Sequence, residues 1–66
     1  MKEITTQVFQ DALAPMDEVL TTAIAQVKQA YRPDYPQARD FTAEYVGAYP
    51  GDHTGRWLDI RVTFSP

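Results

Sequence analysis

Between Phe41 and Phe64, apolar and polar side chains alternate with a period of two on both sides of one short turn, which leaves the chain few folds to choose from. Phe41, Ala43, Tyr45, Gly47 and Tyr49 share one face of the first run, with Thr42, Glu44, Val46 and Ala48 on the other. After Pro50-Gly51-Asp52-His53-Thr54-Gly55 the alternation resumes, with Leu58, Ile60, Val62 and Phe64 set against Trp57, Asp59, Arg61 and Thr63. A period of two marks a strand with one buried face, and a Pro/Gly/Asp cluster between two such runs marks a turn. Residues 41–49 and 56–64 are therefore expected to form an antiparallel β-hairpin.

Matching the two apolar faces also fixes the register, because a slip of one residue would invert every side chain. The expected pairing opposes Glu44 to Arg61, Thr42 to Thr63 and Ala48 to Trp57 outside, and Tyr45 to Ile60 and Phe41 to Phe64 inside. All are acceptable cross-strand pairs. Gly47, inside the first strand, reads as a bulge or as room for an opposing aromatic.

Upstream the period lengthens. Phe9, Leu13, Met16, Leu20, Ala23, Val27 and Ala30 follow one another in steps of four and three, which is the stripe of an amphipathic helix. Pro15 deletes a backbone bond and pushes Ala14 out of helical geometry, so the expectation is one long helix interrupted near Pro15, with its main part at 15–31. Asp17 and Glu18 would lie at the positive end of its dipole and Lys28 and Arg32 near the negative end, with Pro33 as the stop. Thr5 as N-cap, with Ile4 and Phe9 as a hydrophobic staple, would start the first part near Thr6. The competing reading makes Ile4–Phe9 a strand, since Ile-Thr-Thr-Gln-Val-Phe is rich in β-branched residues. The helical continuation is preferred here.

Residues 33–40 hold two prolines and no period, and read as a linker whose Tyr35 packs back on the core. A chain of 66 residues buries only about 60% of its unfolded surface and has room for a single domain, 1–66. A lone two-stranded ribbon is marginal in water, so the hairpin must pack on the helix face carrying Leu20, Ile24 and Val27. The expected fold is α+β, with the sheet completed by an N-terminal strand or by a second chain.

Counting excludes several function classes. The net charge of −3 opposes direct binding to a nucleic-acid backbone. With no cysteine and one histidine there is no disulfide framework, thiolate nucleophile or cysteine-based zinc site. Asp52 and His53 adjoin in the turn without a serine, cysteine or second histidine, so they read as turn residues rather than an acid/base pair. With Asp59 they are too few for a metal, and Gly47, Gly51 and Gly55 do not lie between a strand and a helix as a phosphate loop would. No catalytic, cofactor-binding or metal-binding residue is assigned, so the chain is expected not to be an enzyme. No apolar run suggests a leader or a membrane span, and the cytoplasm is the expected location.

Trp57 is the anomaly. The alternation that buries Leu58, Ile60 and Val62 puts the largest apolar side chain on the outer face, beside Val46 and Ala48. Either another segment or a bulge covers the indole, or Trp57, Val46, Glu44, Asp59 and Arg61 form a protein-binding spot, apolar at its centre and charged at its rim. The expected function is that of a non-enzymatic interaction module that modulates or inhibits a larger protein, comparable in size to the small inhibitors of phages and mobile elements. The alternatives are a homo-oligomer or assembly subunit joined as a homodimer through an open strand edge, and an acidic nucleic-acid mimic. Carboxylates scattered from Glu3 to Asp59 speak weakly for the last.

Overall fold

The computed structural model describes every residue from Met1 to Pro66. Strand β1 (Lys2–Asp11) is followed by helix α1 (Met16–Tyr31), strand β2 (Arg39–Ala48) and strand β3 (Gly55–Ser65). The three strands form one antiparallel sheet in the order β1-β3-β2, so the last strand of the sequence is the central one. The helix covers one face of that sheet, giving the expected α+β architecture with the expected hairpin and an N-terminal strand.

Residues 6–14 do not continue the helix. Ile4, Thr6 and Val8 stand directly opposite Val62, Ile60 and Leu58, and line the helix-facing side of the sheet. Residues 2–11 pair with β3 in an unbroken register, which gives the β-branched run a ladder that a helix ending at Pro15 would not supply. Thr5 therefore caps nothing, and Leu13, part of the apparent helical stripe, lies in the following turn at 97% exposure.

Pro15 is the N-cap residue of α1, in extended geometry (φ −72°, ψ 155°), and Asp17 and Glu18 occupy the first turn. Negative charge there is favoured by the unpaired amides and the helix dipole. Val19, Ala23 and Val27, each four residues after the last, are the buried row of the helix, with Met16, Leu20 and Ile24 packed beside them. The helix ends at Tyr31, whose carbonyl accepts the amides of Asp34 and Tyr35.

Central position makes β3 the backbone of the core. Leu58, Ile60, Val62 and Phe64 are all buried to 1% exposure or less, and join Val8, Val19, Ala23 and Val27 in one cluster. Burying each large side chain is worth about 2 kcal/mol. Tyr35 packs on this cluster as expected, edge-on to Phe64 with ring centroids 5.5 Å apart. Phe41 stacks on Phe64 at 5.0 Å, and the Lys28 ammonium lies over Phe41 at 4.9 Å.

The hairpin register holds in its middle, where Thr42 faces Thr63, Glu44 faces Arg61 and Tyr45 faces Ile60. It shifts at both ends. One irregularity precedes Thr42, where Asp40 takes a left-handed φ of 57°, a conformation aspartate tolerates better than most residues. The second falls between Tyr45 and Gly47, so Ala48 opposes Leu58 rather than Trp57. An extra residue in one strand inverts which side chains face the core beyond it. Tyr49, expected on the inner face, consequently lies on the outer one.

Candidate functional face of the sheet

No element covers the side of the sheet remote from α1, and the odd-numbered residues of β1 and β3 are presented there. Phe9 and Trp57 are directly opposed partners on adjacent strands, with ring centroids 5.5 Å apart and planes inclined at 71°. This edge-to-face contact sets the positive rim of one ring against the negative face of the other. Tyr49 reaches across β3 from the end of β2, and its phenol oxygen accepts a 3.2 Å hydrogen bond from the Gln7 side-chain amide. The Tyr49 amide donates to the Trp57 carbonyl at 3.0 Å, which fixes the end of the hairpin beneath the rings.

Despite these contacts the three rings remain open to solvent, with Phe9 39%, Tyr49 46% and Trp57 51% exposed. Val46, at the bulge, is also exposed. Phe9 in turn covers Gly55: a Cβ at Gly55 would collide with the Gln10 carbonyl oxygen and come within 2.8 Å of the Phe9 ring. Its φ of 148° is a second reason for glycine at that position.

Toward the other end of β3 this face becomes polar. Arg61 donates to Glu44 at 2.7 Å in an exposed cross-strand ion pair, with Thr42 and Thr63 opposed beside it. Asp59 lies between the pair and the rings, opposite Gln7 on one side and Gly47 on the other. All five residues singled out from the sequence thus sit on β2 or β3 around this surface, with Glu44, Asp59, Arg61 and Trp57 on strand positions of the outer face. Phe9, Tyr49 and Gln7 were missed. Phe9 fits the helical stripe as well as a strand, and Tyr49 changes face only if the bulge suggested by Gly47 is carried through to the residues after it.

The hairpin turn is organised by Asp52. Its carboxylate accepts the Thr54 hydroxyl at 2.5 Å, the Thr54 amide at 2.8 Å and the Gly55 amide at 3.3 Å. The Thr54 hydroxyl, and then its amide, hold the Asp52 carboxyl below its ordinary value of 3.8 by stabilising the charged form. His53 is exposed in the same turn. No three His, Asp or Glu side chains converge anywhere in the chain.

A concavity of about 930 Å³ opens between the last turns of α1, the linker and the start of β2, with Lys28, Arg32, Arg39, Tyr35 and Phe41 among its walls. Lys28 is engaged with Phe41, and Arg39 with the neighbouring Asp40 at 3.6 Å. No helix is long and apolar enough to cross a membrane. Compared with family models, curated proteins and solved structures, the chain matches none.

Proposed function

We propose that this chain is a non-enzymatic interaction module that modulates or inhibits a larger protein by docking the helix-free face of its sheet. The observation that carries the reading is the solvent exposure of Phe9, Tyr49 and Trp57, brought together from three separate stretches of sequence onto one end of that face. Large aromatic side chains held at low conformational cost are the usual anchors of protein interfaces, and a charged rim like Glu44, Asp59 and Arg61 sets orientation. In a chain with only nine buried residues, leaving three rings half in water gives up hydrophobic stabilisation that a partner would recover.

The test is comparative affinity capture, with wild type, Trp57→Ala and the double variant Trp57→Ala/Arg61→Ala as baits. A protein retained by wild type and lost with both variants, while their circular dichroism is unchanged, supports docking through this face. A retained set that is the same for all three baits rejects it.

A further inference from the structure

Both flanking strands of the sheet have a free edge, but the two edges are built differently. β2 is interrupted by an irregularity at each end and carries Arg39, Asp40 and Glu44, the features that keep a strand from pairing with another chain. β1 is charged only at its two ends, at Lys2, Glu3 and Asp11. Its ten residues are in continuous register with β3, and from Ile4 to Gln10 it carries no charge, proline, glycine or bulge.

Two bonds identify which groups of β1 are unpaired. Ala12 donates to the Thr54 carbonyl, and the Trp57 carbonyl accepts Tyr49 from the opposite side. Backbone direction alternates along a strand, so even-numbered residues of β1 bond to β3 while Glu3, Thr5, Gln7 and Phe9 aim their N–H and C=O groups outward.

We infer that β1 pairs antiparallel with β1 of a second copy of this chain, forming a two-fold six-stranded sheet with Thr6 opposite its own counterpart at the axis. In that register Thr5 opposes Gln7, Glu3 opposes Phe9 and Ile4 opposes Val8 of the other copy. Four opposed pairs of outward-facing residues then exchange about eight backbone hydrogen bonds, two per pair. Both helices stay on one side, and Ile4 and Val8 extend the apolar row beneath them. A slip of one residue would set outward-aimed groups of one copy against groups of the other already bonded to β3 and would form no ladder, and a slip of two toward the C-terminus would oppose Glu3 to Asp11, like charges directly across. Thr6 already donates to Gln26 of α1 at 3.1 Å, which places one polar side chain of the helix beside the axis. This pairing is independent of the outer-face reading, and it would set two aromatic ends on the same side of one sheet.

Sedimentation equilibrium at tens to hundreds of micromolar should return twice the 7.5 kDa chain mass. Thr5→Pro removes an outward donor that makes no bond within one copy, a site where an edge strand accepts proline, and should weaken association at least tenfold with circular dichroism unchanged. Register is read by single cysteines in this cysteine-free chain. Thr6→Cys should oxidise to a covalent dimer, because directly opposed, non-hydrogen-bonded residues lie about 4.5 Å apart, and Thr5→Cys should not. If Thr5→Pro does not fold, the cysteine pair decides. A single-chain mass throughout the range overturns the inference, as does equal cross-linking of the two cysteine variants. So does a monomer whose β1 edge becomes protected from exchange only when a foreign protein is added.

Discussion

Phe9 and Trp57, 48 residues apart in the chain, face each other directly across β1 and β3 and meet edge to face on the side of the sheet that no helix covers. This contact ties the N-terminal strand to the end of the hairpin, and both rings remain within reach of a partner.

Because Trp57 is the only tryptophan, its fluorescence reports that surface directly. In the chain alone it should be readily quenched by acrylamide. Binding a partner on this face should shift the emission to the blue and lower the quenching constant several-fold. Trp57→Ala should cost about 2 kcal/mol of stability, the edge-to-face pair together with the half of the indole that is buried, as read from urea denaturation.

Gly55 is a structural requirement of the same region. Gly55→Ala sets a Cβ against the Gln10 carbonyl and the Phe9 ring at a φ that L-residues rarely adopt, and should destabilise the fold by about 2 kcal/mol. Amide exchange should quicken first at Gln10, Ala12 and Thr54.

Leu58 lies at the middle of the core with no exposed surface. Leu58→Ala should lose about 3 kcal/mol, comparable to the entire stability of a domain this small. Circular dichroism should show a chain largely unfolded at 37 °C.

The hairpin turn should respond to acid. The folded-state pKa of Asp52 lies below 3.8, so between the two values the unfolded chain binds more protons and stability rises with pH. The contribution is complete above 3.8 and is lost as pH falls through the lower folded value. Nuclear magnetic resonance should show the Thr54 and Gly55 amide shifts titrating below pH 3.8, and Asp52→Ala should abolish that transition.

Local pattern was enough to read the hairpin, the helix from Met16 to Tyr31 and the faces on which they meet. A period of two between Leu58 and Phe64, or of 3.6 between Met16 and Val27, follows from side-chain direction along one element. Residues 2–11 were ambiguous for the opposite reason. Ile4, Val8 and Phe9 suit the end of a helical stripe as well as a strand, and what separates the two is a ladder with Leu58, Ile60 and Val62, some fifty residues away.

The candidate face divides in the same way. Alternation alone put Trp57, Asp59, Arg61 and Glu44 on the outer side of the hairpin, since each strand carries its own parity. Tertiary structure decided the rest: it made β3 central, laid Phe9 beside Trp57, and moved Tyr49 to the outer face through one extra residue before Gly47. Strand pairing joins residues that share no local pattern, so the sequence determined which face each strand would bury, and only the assembled sheet determined which aromatic side chains would meet.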